Sequence, residues 1–344
     1  MSCCDETTAI VPSTDVSRRS VLKGATIVAS VLPTATPTAA QGKLIKLAYC
    51  SQLLCGVPYE VARAGGHFKN HGLNVELVYT RGGGAAMQAL IGGAVDYAAT
   101  SLDVAITAFT KGADVRRFAV TGQLPLFALV TSPKSAGTIR TVKDLEGKTV
   151  AVSALGNADH ALTLYLLKQA GADSKKVKFA TMGVNLLEAL RQGQIDAGMV
   201  QEPALTVLQR AKARVLVNAM DLADAYRYIG GTYEFMGVAV RGKEIKQRHQ
   251  EMVALTKALT DALKALSKMS GEQLIASLPK AMTTGLNIKE FGDILVRYRN
   301  SLYPLAVTID LKAASRVADT LKIGGLIKPD ATIVGLHDTS IVGS

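Results

Sequence analysis

The chain has 344 residues, enough for two domains of ordinary size with a core in each. Hydrophobic residues make up 48% but aromatic ones only 5%, with no Trp, so the apolar content lies in small and aliphatic residues, the usual mix of alternating strands and helices. The absence of any long apolar run argues against a membrane span, and the net charge of +11 comes from scattered Lys and Arg without interleaved aromatics, which argues against nucleic acid as a partner.

The first forty residues read as an export leader. Ser17-Arg18-Arg19-Ser20-Val21-Leu22-Lys23 is a twin-arginine signature, with Val21 where Phe is commonest. A modestly hydrophobic stretch over 24–32 follows, and the small residues Thr38 and Ala40 suit a signal peptidase that leaves Gln41 as the new N-terminus. The alternative is a chance Arg pair in a disordered tail. The leader holds as many basic residues (Arg18, Arg19, Lys23) as acidic ones (Asp5, Glu6, Asp15), so its removal leaves the net charge unchanged. That excess would steer anionic solutes or an anionic membrane surface, or serve solubility alone. Cys3 and Cys4 leave with the leader. Cys50 and Cys55 remain, and in an oxidising compartment they form either a disulfide or two small, partly buried thiols. The five His residues do not cluster with them, so neither a metal site nor a cofactor is expected.

Beyond the leader, short apolar runs alternate with helical patterns, which predicts an α/β fold with mainly parallel sheets. A strand is predicted over 44–49, a helix over 57–64 and a second strand over 74–79. Arg81-Gly82-Gly83-Gly84 then opens a helix over 85–91, and a strand over 95–99 leads through Thr100 and Ser101 into a helix that runs to Lys111. A second set starts near 140, with a helical turn over 141–148, a strand over 149–153, a loop at Ala154-Leu155-Gly156-Asn157 and a helix over 158–170. Strands over 177–181 and 195–200 flank a helix over 186–192, and Pro203 suits the first position of the next helix. From Glu244 onward only helices are predicted, over 250–269, 271–278, 288–300 and 311–321, and the last sixteen residues show no periodicity. One echo links the two sets. Ala89-Leu90-Ile91-Gly92-Gly93-Ala94-Val95-Asp96 recurs 100 residues later as Ala189-Leu190-Arg191-Gln192-Gly193-Gln194-Ile195-Asp196. Each copy is a helix end, a Gly suited to the left-handed turn and an Asp that starts a strand. The echo reads either as shared turn chemistry or as two βα lobes of like topology that face one another across a cleft.

In open α/β sheets, ligands bind beyond the carboxyl ends of the strands, at helix N-termini. Four places fit: Ser51 and Gln52 after the first strand; Gly83 and Gly84 with Gly82 before the helix at Ala85; Thr100 and Ser101; and Ser153, Gly156, Asn157 and Ala158 in the second set. Singly, each is an ordinary turn signal, and none matches a dinucleotide or P-loop fingerprint. Gln201-Glu202-Pro203 falls at the same rim. Glu202 is either a helix N-terminal charge favoured by the dipole or a ligand contact, and in the second case it would favour an amino group or another hydrogen-bond donor.

The run from Gly65 through Gly66-His67-Phe68-Lys69-Asn70-His71-Gly72-Leu73-Asn74-Val75-Glu76, the Gly-Gly loop with Met87-Gln88-Ala89-Leu90, the segment 93–101, Asp144-Leu145-Glu146-Gly147-Lys148-Thr149-Val150-Ala151-Val152 and the segment 193–203 together resemble the nitrate/sulfonate/taurine-type periplasmic substrate-binding proteins of ABC importers, a family that also includes binders of thiamine pyrimidine precursors. The resemblance covers about 44–240 in the same order along the chain. It implies a type-II periplasmic binding fold with 1–40 as signal peptide, a first lobe of 41–131 and 236–344, a second lobe of 132–235, and crossings near 128–131 and 234–238. It further implies a monomer in the periplasm that closes around a small solute and delivers it to a membrane permease and ATPase, with Gln52, Gly83, Ser101, Ser153, Asn157, Gln201 and Glu202 lining the cleft. Many sulfonate binders carry Trp-Asp-Pro where this chain has Gln201-Glu202-Pro203, which weakens an alkanesulfonate as the solute. Tyr49, Tyr228 and Tyr233 remain as aromatic walls or as core residues.

Two other readings stand beside this one. An enzyme on the same fold would need a nucleophile with a base, and only Cys55 and His160 offer themselves; no G-x-S-x-G elbow is present, so catalytic residues are not expected. A ligand sensor for a membrane receptor would share the solute chemistry and differ only in its docking surface.

Overall fold

Apolar runs too short to make helices build two five-stranded sheets. The computed structural model describes residues 43–50 and 53–342; the expected leader, Gln41, Ser51 and Gln52 lie outside them. The chain enters at β1 (Leu44–Cys50) and passes through α1 (Leu53–Ala64) and α2 (His67–Asn70) to β2 (Asn74–Thr80). Next come α3 (Gly83–Ile91), β3 (Tyr97–Ser101), α4 (Leu102–Thr110) and β4 (Val115–Val120). The strands β5 (Ala128–Thr131) and β6 (Thr149–Val152) follow, then α5 (Ala158–Gln169), β7 (Lys178–Thr181), α6 (Leu186–Arg191), β8 (Ala197–Val200), α7 (Ala204–Arg210), β9 (Val215–Asn218), α8 (Leu222–Asp224) and β10 (Met236–Arg241). The remainder is helical: α9 (Ile245–Leu266), α10 (Gly271–Ser277), α11 (Lys280–Thr283), α12 (Ile288–Leu302) and α13 (Leu311–Ile323). Side chains cap α10, α12 and α13, where Ser270, Asn287 and Asp310 accept first-turn N–H groups.

The first sheet runs β2-β1-β3-β10-β4 and the second β7-β6-β8-β5-β9. Four strands of each run in one direction, as the βα pattern predicts, and the strand in fourth place is antiparallel to both its neighbours: β10 between β3 and β4, and β5 between β8 and β9. The sheets are therefore mixed, mainly parallel in strand direction with one strand reversed in each. The reason lies in the connections, because β5 arrives in the second sheet directly from β4 of the first, and β10 returns from β9. The passage into the second sheet accordingly lies in 121–127, upstream of the 128–131 read as the crossing, and 128–131 belongs to the second sheet because its edges pair with β8 and β9.

The internal echo has the same structure in both copies. Gly93 and Gly193 take left-handed backbone at φ 81° and 67°. Asp96 then donates its N–H to the Lys46 carbonyl while its carboxylate accepts the Lys46 N–H at 2.8 Å. Asp196 does likewise with Thr149, whose N–H reaches its carboxylate at 2.9 Å. Each Asp thus clasps the start of the central parallel strand of its sheet, β1 or β6.

Arg117 of β4 is fully buried. Its Nε donates to Glu234 Oε1 at 2.6 Å, and its Nη1 and Nη2 donate to the carbonyls of Thr100 and Phe235 at 2.9 and 3.0 Å. This ties the end of β3 to the segment that enters β10. Gly237 makes room for it, since a Cβ there would lie 2.2 Å from the Ala119 carbonyl oxygen and 2.6 Å from Arg117 Nη2. The aperiodic tail is draped over the same strand: Arg117 N–H donates to the Leu336 carbonyl, Asp338 N–H donates to the Arg117 carbonyl, and His337 Nε2 sits 3.2 Å from Glu234 Oε1. Helix α13 packs against both α4 and α5.

Candidate functional site

The carboxyl ends of β1, β3 and β6 converge on a cavity of about 230 Å³ between the two sheets. Its first-sheet wall is formed by Cys50, Cys55, the run Arg81 to Ala85, Ser101, Asp103 and Val104; the second sheet contributes Ser153, Asn157, Ala158 and Asp159. Phe127 and Phe235 come from the two connecting segments and meet edge to face, with ring centroids 5.7 Å apart at 89°. A larger, more open hollow of about 800 Å³ lies between the end of α4 and the tail, around Phe109, Lys111, Lys322 and Lys328. It is away from the strand ends, where ligands of such sheets bind, so the smaller cavity is the better candidate.

Three helices begin on the cavity: α3, α4 and α5. None has its first turn closed by the side chain of its N-cap residue (Gly82, Ser101 or Asn157), in contrast to α10, α12 and α13. Gly82 turns the chain at φ 93°, a conformation that favours glycine, and the backbone of Gly83 approaches β3 closely, its missing Cβ 3.5 Å from Thr100 Cβ. Such ends carry about half a positive charge each, although the N–H of Leu102 in α4 is taken by the Phe235 carbonyl and that of His160 in α5 by Asp159.

Two carboxylates oppose that charge. Asp103, in the first turn of α4, is 6% exposed, and its Oδ1 has no hydrogen-bond partner among the described residues. Burial pushes its carboxyl above the usual range, against the pull of a hydrogen bond from Ser101 and of the nearby Arg117. Asp159, in the first turn of α5, is also raised by burial. It is pinned, because it accepts the N–H and, at 2.8 Å, the hydroxyl of Ser153 together with the N–H of His160. Asn157 Nδ2 donates to Ser153 Oγ at 3.0 Å, and Gly156 N–H donates to His160 Nδ1 at 3.0 Å, so the whole loop is held from one helix. Cys50 and Cys55, for which a disulfide and buried thiols both remained open, are thiols. Burial first, then the hydrogen bond with Cys50, holds the Cys55 thiol well above its ordinary pKa.

Of the residues proposed from sequence, Gly83, Gly84, Ser101, Ser153, Asn157 and Ala158 line the one cavity. Gln201 lines an adjoining hollow that shares Phe127, Ser153 and Asp159 with it. Thr100 is buried beneath, its hydroxyl bonded to the Ser101 carbonyl and its own carbonyl to Arg117. Gly156 is exposed in a left-handed turn at φ 86° and serves the loop rather than the cavity wall. Glu202 faces its own helix: Thr206 donates to it through N–H at 3.0 Å and hydroxyl at 3.1 Å, with Arg297 4.0 Å away. Its carboxyl is raised by burial, but it does not line the cavity. Ser51 and Gln52 fall outside the described residues. Tyr49 and Tyr233 are core residues, Tyr49 donating to Glu60 at 2.8 Å, and the aromatic wall comes from Phe127 and Phe235 instead. Asp103 and Asp159 were not singled out from sequence. A first-turn Asp follows both Ser101 and Asn157 by two residues, and that shared spacing is the signal that marks them.

The sequence matches the model of a family described as NMT1/THI5 like over residues 57–269. No curated protein matches it. Among solved structures, the chain is similar to a protein of Bordetella bronchiseptica RB50, with a TM-score of 0.73 and 22% identity over 87% of this chain and 96% of that one. It is also similar to the periplasmic aliphatic sulphonate binding protein SsuA from Escherichia coli, with a TM-score of 0.65 and 22% identity over 84% and 89% of the two chains. A third similar structure is the periplasmic nitrate-binding protein NrtA from Synechocystis PCC 6803, with a TM-score of 0.65 and 13% identity over 87% and 86%. At these identities the likeness establishes the periplasmic binding fold that the two sheets display.

Proposed function

The chain belongs to the NMT1/THI5-like family, and from that premise we propose that it is the solute-binding component of an ABC importer, a protein that captures a small solute between its sheets and delivers it to a membrane permease. One observation carries the reading. The first turns of three helices, drawn from both sheets, open on a single cavity at the carboxyl ends of parallel strands. Gly83, Gly84, Ser101, Ser153, Asn157 and Ala158 are the proposed contacts, with Phe127 and Phe235 as the apolar walls at the two connections. Similar structures are named as sulphonate-binding and nitrate-binding periplasmic proteins, which supports a periplasmic location; a monomer, exported through its twin-arginine leader and served by a permease and an ATPase, completes the proposal.

Binding without catalysis is the reading that the cavity chemistry favours. A nucleophilic Cys needs its pKa lowered, whereas burial raises Cys55, and His160 spends Nδ1 on its own loop while its ring packs edge-on against Phe179.

The test is a thermal-shift screen of the purified protein against nitrate, sulfonates, carboxylates, pyrimidines, amines and amidines. Solute at about a hundred times its Kd adds roughly 2.7 kcal/mol of stability. One chemical class should raise Tm reversibly, and its members should be recovered unchanged. Silence across all classes, or a solute returned chemically altered, would count against the binder.

A further inference from the structure

The cavity holds a buried acceptor that the protein itself leaves unused. Asp103 lines the cavity, and its Oδ1 is enclosed and has no hydrogen-bond partner among the described residues. Buried polar atoms are nearly always bonded, and an unpaired carboxylate oxygen is among the costliest exceptions. Arg117 is turned to other partners: its Nε, Nη1 and Nη2 donate to Glu234 and to the carbonyls of Thr100 and Phe235.

The electrostatic balance of the cavity decides what completes this acceptor. Two carboxylates, Asp103 and Asp159, face it, one from each sheet. The dipoles of α4 and α5 fall first on these same acids, which sit in their own first turns. That leaves the α3 terminus, with no acid in its first turn, and the exposed Arg81 at the rim to receive an anion. A compact oxyanion placed beside Asp103 would meet a carboxylate in a low-dielectric enclosure, while an N–H donor there would satisfy Oδ1.

We infer that the solute carries a small ammonium or amidinium head whose N–H groups Asp103 receives, an inference that rests on the solute-binding reading above. Asp159 supplies the second negative charge from across the cavity, so the cationic head draws the two sheets together. The α3 terminus is left for an acceptor atom elsewhere on the solute. The cavity of about 230 Å³ limits what it encloses to about eight heavy atoms, since water occupies about 30 Å³ in the liquid.

The experiment uses acetamidinium and ethanolammonium as probes, with nitrate and methanesulfonate as counter-probes, at about 50 mM and constant ionic strength, read by thermal shift and by isothermal calorimetry. A cation at ten times its Kd should raise Tm by about 3 °C, and the rise should disappear in Asp103→Asn. Asp103→Ser serves as a second variant if the first fails to fold, and the comparison of cations with anions in the unaltered protein needs neither. A rise with nitrate or methanesulfonate but not with the cations overturns the inference and leaves the binder standing. A cation shift that survives both variants, or no shift with either cation, overturns it as well; the wider screen then decides whether the protein binds any solute.

Discussion

Asp103 has a consequence for the unliganded protein that can be measured before any solute is known. Burial holds its folded carboxyl above the usual carboxylate value, so what it adds to stability is fully present below that ordinary value. The contribution is lost as pH rises through the raised folded value, because ionising the unfolded chain becomes easier than ionising the native one. Asp103→Asn should therefore stabilise the unliganded protein by about 1 kcal/mol at neutral pH, with the gain shrinking toward pH 4. Chemical denaturation at several pH values checks both the sign and the trend. A destabilising effect that does not vary with pH would mark Asp103 as a structural group. Glu244 shows the opposite sign. Its hydrogen bonds to Arg241, and further to Arg248, bring its carboxyl down to about 2, so its contribution is present above the ordinary carboxylate range and lost as pH falls toward that value. Glu244→Gln should flatten acid unfolding between about pH 4 and pH 2.

At the level of elements, the paired Asp clasps explain why an eight-residue echo persists across two sheets that share few other residues. Asp196 accepts from Thr149 N–H and, at 3.2 Å, from Ser135 Oγ, and its own N–H and carbonyl are both bonded. Asp196→Ala should cost about 1–2 kcal/mol in urea unfolding, whereas Asp196→Asn should retain much of that. The echo could be read from sequence because every part of it is local: a helix end, a glycine turn and a strand start. The helix-start residues of the cavity were legible for the same reason, since Gly83, Ser101 and Asn157 each follow a strand with turn chemistry of their own. Asp103 and Asp159 were not, because a first-turn acid looks the same whether it faces solvent or an enclosed cavity, and only the opposition of two sheets tells them apart. Glu202 misled in the converse way. It lies two residues past β8, but Thr206, four residues on, offers an N–H and a hydroxyl at once, and this local bond takes up the carboxylate. Phe127 and Phe235 lie in connecting segments without periodicity, so nothing in their neighbourhood announced that they would meet.

Across the whole molecule, the two connections between sheets set both where the cavity lies and how it can close. Phe127 and Phe235 sit on those connections at the cavity, and α13 packs against both α4 and α5, which carry the two acids. Closure around a solute should lower the radius of gyration measured by small-angle scattering, with little change in secondary structure by circular dichroism. The antiparallel strands carry a further consequence. Because β5 is donated by the half that builds the first sheet and β10 returns from the half that builds the second, each sheet is finished only by a strand delivered across the divide. Neither half could be cut away intact: without β10, β3 and β4 would be left as facing open edges, and without β5 so would β8 and β9. The protein is in this sense an embrace within a single chain, and it should melt in one calorimetric transition despite its two sheets, while fragments split within 219–235 should be insoluble alone and recover structure only when mixed.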